Sequence, residues 1–134
     1  MSTKNRAILR VYSETLRVDD ISSLINAVPS KAIRKGDPIS RQSKNSKTHE
    51  DSICFFDAET SDPMGLDKCV ETLLEILENS KVLALNESCD LRMDIICYLA
   101  VIPGRLINSC CLEHELITRL SRLPIHLIIN AVPE

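Results

Sequence analysis

The stretch LRMDIICYLAV, residues 91–101, carries the clearest strand pattern in the chain. Its apolar residues recur at every second position, as they do in a β-strand with one buried face. These residues are Leu91, Met93, Ile95, Cys97, Leu99 and Val101. The following IPG, residues 102–104, predicts a turn, and LINSCC, residues 106–111, predicts a strand that returns beside the first.

The longest predicted helix lies upstream of this strand, at residues 66–78. Its apolar residues recur at helical spacing and form one stripe, which consists of Leu66, Cys69, Val70, Leu73, Leu74 and Leu77. The other side of the helix carries Asp67, Glu71, Glu75 and Glu78. Because an amphipathic helix buries its apolar stripe, we expect this helix to present a strongly acidic outer face.

The remaining elements follow from the same two periodicities and from helix and turn signals. They are a strand at residues 6–16, a helix at residues 18–28 ended by Pro29, a short strand around Ala32 and Ile33, a central strand at residues 51–59, a helix at residues 112–123 and a last strand at residues 124–132. Residues 30–50 are otherwise polar and basic, and we expect a mobile, irregular loop there.

The order of the main elements, β-α-β-α-β-β-α-β, predicts a single α+β domain over residues 1–134. We expect a mixed or antiparallel sheet with helices packed mainly on one face, and a ferredoxin-like variant is one candidate. An offset of 96 residues aligns Ser13 and Ile21 with Ser109 and Ile117, so an internal duplication is an open alternative.

Composition limits the class of protein. The chain has 134 residues and is 44% hydrophobic, which is enough for one core, but only 3% of it is aromatic and it has no Trp. No apolar run is long enough for a membrane helix, and the N-terminus lacks a signal peptide's apolar region. We therefore expect a cytoplasmic protein, with no membrane partner, whose six cysteines are free thiols.

Charge is distributed unevenly along the chain. Residues 1–50 contain ten Lys and Arg against five Asp and Glu, whereas residues 51–134 contain six against fourteen, for a net charge of -3. A surface divided in this way can steer a charged partner.

Three stretches carry a resemblance to a known family: VYSETLRVDDISSLINAVPSKAIRKGDP, then SKTHEDSICFFDAE, then INSCCLEHELITRLSRLPIHLIIN. With Pro29 and Lys35-Gly36-Asp37 in the first stretch and residues 107–129 in the last, the chain resembles a bacterial family known only as domain of unknown function 4279. The resemblance covers nearly the whole chain. It implies a small, cytoplasmic, bacterial α+β domain, and it brings no activity and no catalytic residues.

The tetrapeptide RKGD allows two interpretations. Arg34 and Lys35 are suited to an anion such as phosphate, and Gly36 would let backbone amides approach it. Alternatively, Gly36 takes a positive φ in a turn and Asp37 accepts a hydrogen bond from a neighbouring amide. No phosphate-binding motif surrounds the tetrapeptide, so the turn is the preferred interpretation.

Other reactive or charged groups are better explained as structure. Cys110, Cys111 and His114 lack the spacing of a metal site, so we expect no metal, and we expect no cofactor. No nucleophile motif accompanies any cysteine or histidine, and His126 is expected on a sheet face, which argues against an enzyme. The basic loop lacks interleaved aromatic residues, which argues against nucleic-acid binding.

The acidic residues around the longest helix provide the functional hypothesis. They are Asp57, Glu59, Asp62, Asp67, Glu71, Glu75 and Glu78. A carboxylate-rich surface on a domain without a catalytic motif suits the docking of a basic protein. We expect a non-enzymatic immunity protein that blocks a cognate toxin by filling its basic active-site cleft. The alternatives are a ligand-binding or enzymatic domain that uses Arg34–Asp37 and a homo-oligomer, such as a homodimer, joined through an open sheet edge.

Overall fold

The computed structural model describes residues 5–39, 47–61, 65–81, 90–101 and 111–133. Five strands and three helices lie in this part of the chain. They are β1 (Asn5–Ser13), α1 (Val18–Ile25), β2 (Lys31–Ile33), β3 (Ser52–Thr60), α2 (Leu66–Glu78), β4 (Arg92–Val101), α3 (His114–Ser121) and β5 (Ile125–Pro133).

The strands form one mixed sheet in the order β2-β3-β1-β4-β5. The first four are joined by antiparallel pairing, and β5 runs parallel to β4. The strand β1 is therefore central, and β3 also lies inside the sheet, as predicted. The fold is α+β, and the predicted mixed sheet is confirmed.

Helices cover one face of the sheet because alternate strand residues are apolar and buried there. From β1, β3 and β4 these are Ala7, Leu9, Val11, Cys54, Phe56, Met93, Ile95 and Cys97. The six apolar residues predicted for the longest helix are all buried on α2, which contacts β1, β3 and β4. Leu116, Leu120 and Leu123, from α3 and the turn after it, belong to the same core.

Two helical predictions are corrected. α1 ends at Ile25 and not near Pro29, because Asn26 adopts a left-handed conformation with φ 60 and its N–H bonds the Ser22 carbonyl. Val28 consequently lies outside the helix and is 90% exposed. Ile117, predicted on the apolar stripe of the third helix, is 50% exposed because the buried face of α3 centres on Leu116 and Leu120.

Side-chain hydrogen bonds end β1 earlier than the predicted Leu16. The Ser13 Oγ accepts hydrogen bonds from the backbone N–H groups of Thr15 and Leu16, at 3.2 and 3.0 Å. This turn directs the chain into α1. A serine hydroxyl that bonds nearby amides competes with strand pairing in this way.

The basic segment predicted as irregular begins with the short strand β2, and its two described parts meet at one isolated bridge. Pro38 and Thr48 form an antiparallel bridge, and backbone bonds join Ile39 to Lys47 and His49 to Asp37 at 2.8 Å. Residues 40–46 lie outside the described residues. The strand predicted at residues 106–111 lies largely outside them as well, and over Met93–Tyr98 β4 has β1 on one side and β5 on the other.

Both edge strands follow a short helix and a proline. Pro29 separates α1 from β2, and Pro124 separates α3 from β5. The same order of helix, proline and strand is the pattern that suggested an internal duplication in the sequence. The duplication itself stays a prediction.

Candidate functional site

The predicted acidic residues do not form one continuous strip. Asp67, Glu71, Glu75 and Glu78 share α2. Asp57 and Glu59 lie on β3 and alternate with the buried Phe56, so their side chains leave the sheet on the face opposite the helices. Asp62 lies outside the described residues. The surface of α2 and the residues of β3 are thus two separate groups.

α3 adds carboxylates to the α2 group. A cleft of about 140 Å³ lies between the two helices, and we call it the acidic cleft. It is lined by Asp67, Glu71, Glu113, Glu115, Leu116 and Arg119. The sequence prediction missed Glu113 and Glu115, although acidic residues at a helix start, in LEHEL, are a recognisable signal.

Arg119 ties α3 to the acidic side of α2. Its Nε lies 3.1 Å from Glu78 Oε2, its Nη2 bonds Glu78 Oε1, and its Nη1 lies 3.5 Å from Glu71 Oε1. The hydrogen bond from Arg119 lowers the pKa of Glu78. Two of the predicted carboxylates are therefore paired within the chain.

The other two α2 carboxylates, Glu75 and Asp67, form no ion pair with a described residue. Glu75 is exposed. Asp67 stands in the first turn of α2, and its Oδ1 is buried without a hydrogen-bond partner among the described residues. A buried carboxylate oxygen without a donor is costly to stability.

The tetrapeptide RKGD forms the predicted turn. Gly36 has φ +93, the Asp37 N–H bonds the Arg34 carbonyl at 3.0 Å, and the Asp37 Oδ2 accepts the Arg34 N–H at 3.1 Å. The Lys35 ammonium donates to the Glu14 carbonyl at 2.9 Å. The positive φ of Gly36 and the hydrogen bond to Asp37 are therefore as predicted, and anion binding by Arg34 and Lys35 stays a prediction.

The same turn borders a cleft of about 840 Å³. Its lining includes Arg17, Arg34 and Lys35 against one carboxylate, Glu14, so positive charge is in excess there. The start of α1 also faces it, but this helix end already carries Asp19 and Asp20, whose charges compensate the helix dipole. An anion would therefore bind mainly to the three cationic side chains.

The cysteines and histidines are dispersed in the described structure. Cys54, Cys69 and Cys97 are buried free thiols, and Cys111 is an exposed one. Burial raises the pKa of the Cys69 thiol, and the nearby charges of Asp67 and Glu59 raise it further. Within the described ranges no three His, Cys, Asp or Glu residues are grouped as metal ligands. Cys110 lies outside these ranges, and His126 is exposed on the sheet, as predicted.

The sheet face away from the helices, here called the open face, gathers residues that the sequence did not connect. Three of the four aromatic residues lie there with cations over their rings, at 4.6–5.7 Å from cation to ring centroid. The pairs are Arg6 with Tyr98, Arg10 and Arg92 with Tyr12, and Lys31 with Phe55. Their strand register, which the sequence alone does not specify, brings them together.

Comparison with known proteins identifies one family. The model of the family Domain of unknown function (DUF4279) matches residues 2–131 of the chain. No curated protein and no solved structure matches. None of the helices in the described residues is long and apolar enough to cross a membrane.

Proposed function

Because the chain belongs to the family Domain of unknown function (DUF4279), whose description names no activity, we propose a function from its own side chains. We propose that it is a non-enzymatic protein-binding domain that acts as an immunity protein. It blocks a cognate protein toxin by docking its acidic surface into the toxin's basic active-site cleft. This role places the chain in the cytoplasm of a bacterium.

The acidic cleft between α2 and α3 carries the proposal. Four carboxylates line it against the single Arg119, and that arginine is already engaged by Glu71 and Glu78. Glu113 and Glu115, which line the cleft, are exposed. An arginine or lysine of the partner would meet these carboxylates at the rim.

The surface differs from the one that the sequence predicts. The docking residues are Asp67, Glu71, Glu75, Glu113 and Glu115, while Asp57 and Glu59 lie on the other side of the sheet and take no part. Glu78 is neutralised by Arg119 and serves to hold the two helices together. Complementary charge of this kind mainly accelerates association, so the binding rate should fall as salt is added.

The proposal predicts that a toxin gene lies beside the gene for this chain, and it is tested with the product of that gene. Cells that produce this toxin should survive with the wild-type chain and lose protection with the Glu113→Lys, Glu115→Lys double variant, which reverses two exposed carboxylates of the acidic cleft. The association rate constant of the purified proteins should fall about tenfold or more. Asp57→Lys is the matched control, because it reverses an exposed carboxylate on the open face.

Two results would overturn the proposal in different ways. If the wild-type chain neither binds nor protects against the neighbouring toxin, the function is wrong. If it protects and the double variant protects equally well, the function stands but the acidic cleft is not the docking surface.

A second candidate function is favoured by the cationic cleft at Arg17, Arg34 and Lys35. In this alternative the chain binds a small anionic ligand there. Phosphorylated metabolites should then raise the melting temperature of the wild-type chain and not that of the Arg34→Ala, Lys35→Ala variant. No shift with any such ligand would dismiss this alternative.

A further inference from the structure

The two edges of the sheet differ in length. β2 forms one edge and has three residues, whereas β5 forms the other edge and has nine. In the described structure β5 pairs on one side, with β4, over Ile125–Pro133. A long edge strand offers a row of backbone donors and acceptors to another strand.

Before its last residue, Pro133, β5 lacks the charged residues that usually protect an exposed edge. No Lys, Arg, Asp or Glu occurs between Ile125 and Pro133. The strand also exposes large apolar side chains, since Ile128 is 40% exposed and Ile129 is 49% exposed. Successive strand residues point to opposite faces, so one isoleucine lies on each side of the sheet. Soluble proteins normally place charges or a bulge on such a strand.

An apolar row on the open face ends at this edge. The cross-strand partners Ile8, Ile96 and Ile128 follow one another from β1 through β4 to β5. Ile8 and Ile96 are half-buried, while Ile128 at the end of the row is exposed. The row is therefore open at the position where a further strand would continue it.

We propose that β5 pairs antiparallel with β5 of a second copy of this chain, about a two-fold axis perpendicular to the sheet. The pairing joins two five-stranded sheets into one and keeps both open faces on the same side. With the axis at Ile128, this side chain meets its own counterpart on the open face, and Ile129 lies opposite Leu127 of the second copy on the other face. The apolar row then continues through Ile128 into the second copy.

Charge and symmetry favour a second copy of this chain as the partner that pairs with the outer edge of β5. In a two-fold pair, residue i faces residue j and j faces i, so any charge on the strand would oppose a like charge near the axis. β5 has no charged residue to create that conflict. An uncharged strand also offers nothing that would select a foreign charged sequence, whereas apolar isoleucines are complementary to themselves. This inference is independent of the docking proposed for the acidic cleft.

Light scattering coupled to size exclusion tests the pairing over a wide range of protein concentration. We expect a mass of twice the 15.0 kDa of one chain, decreasing on dilution. Ile128→Lys and Ile129→Lys place charges at the axis and next to it, and should each give a monomer. Ile117→Lys on α3 is the matched control, since Ile117 is equally exposed at 50%, and it should remain a dimer.

A milder variant keeps the test valid if the lysine variants fail to fold. Ile128→Thr keeps a β-branched residue in the strand and should weaken dimerisation about tenfold, with the circular dichroism spectrum unchanged. A wild-type chain that is monomeric at every concentration would overturn the proposal. So would a dimer that persists in both lysine variants and in Ile128→Thr.

Discussion

Arg10 and Asp94 form a two-point ion pair across the β1–β4 ladder. Arg10 Nε lies 3.0 Å from Asp94 Oδ1, and Arg10 Nη2 lies 2.6 Å from Asp94 Oδ2. Asp94 is 3% exposed although it lies on the open face, whereas the Arg10 side chain keeps 35% of its exposure. The Asp94 carboxylate is shielded from water and its charge is compensated by Arg10, whereas water can still solvate the Arg10 guanidinium. Loss of the ion pair is therefore more costly for Asp94 than for Arg10.

Removing the arginine should cost more stability than removing the carboxylate. Arg10→Met leaves a buried, unpaired Asp94 and should lower the free energy of unfolding by about 3 kcal/mol. Asp94→Asn leaves an arginine that water can reach, and it should cost about 1 kcal/mol. Urea denaturation followed by circular dichroism measures both values.

Two further variants decide whether burial causes the difference. Arg92→Met breaks the more exposed pair with Asp51 and should cost about 0.5 kcal/mol. Arg10→Met combined with Asp94→Leu removes both charges and should recover most of the lost stability. If Asp94→Asn costs as much as Arg10→Met, the asymmetry is wrong.

The Glu78–Arg119 pair predicts a pH dependence of stability. The hydrogen bond from Arg119 lowers the pKa of Glu78 from its ordinary value of 4.5, so the folded chain binds this proton less readily than the unfolded chain. The stabilisation is therefore complete above that value and is lost as the pH falls through the lower, folded pKa. The wild-type chain should melt at a higher temperature than Glu78→Gln at about pH 7, and the gap should narrow as the pH falls below 4.5.

Thermal melts of both proteins across this range provide the test. Glu75→Gln is the control, since Glu75 forms no ion pair with a described residue. Its melting temperature should follow that of the wild type throughout the range. A difference between wild type and Glu78→Gln that is constant with pH would contradict the assigned pair.

Replacing Gly36 should lower the stability of the chain because of its backbone conformation alone. Its φ of +93 is unfavourable for a residue with a Cβ, while a Cβ built there meets no atom within 4 Å. Gly36→Ala should therefore destabilise the chain by about 1 kcal/mol through conformation alone. Asp37→Ala, which removes the acceptor of the Arg34 N–H, should cost a similar amount. Chemical denaturation that shows a stabilised Gly36→Ala would disprove the strained turn.

Thiol labelling should distinguish the buried cysteines from the exposed one. Cys54 and Cys69 are buried, and burial raises the pKa of both thiols, so they are poorly ionised. Cys111 is exposed. In the native chain, maleimide should modify Cys111 rapidly and leave Cys54 and Cys69 unmodified until denaturant is added. Peptide mapping by mass spectrometry reads this out, and rapid labelling of Cys54 in the native chain would contradict its burial.

The elements with strong periodicity were predictable because local spacing fixes which residues share a face. The bounds of α2 match residues 66–78, and its whole apolar stripe is buried. In β4, alternation identified Met93, Ile95 and Cys97 as the buried face. The end of α1 was less predictable, since it depends on the left-handed conformation of Asn26 rather than on Pro29.

The candidate sites depend on contacts between distant segments, which periodicity does not encode. The alternation of β3 sends Asp57 and Glu59 to the open face, and the packing of α3 on α2 brings Glu113 and Glu115 to Asp67 instead. Sequence spacing by itself determined which side of each helix and strand is apolar, because that depends on neighbours within a few residues. Only the tertiary structure decided which charges face each other, because strand register and helix packing join residues as far apart as Arg10 and Asp94.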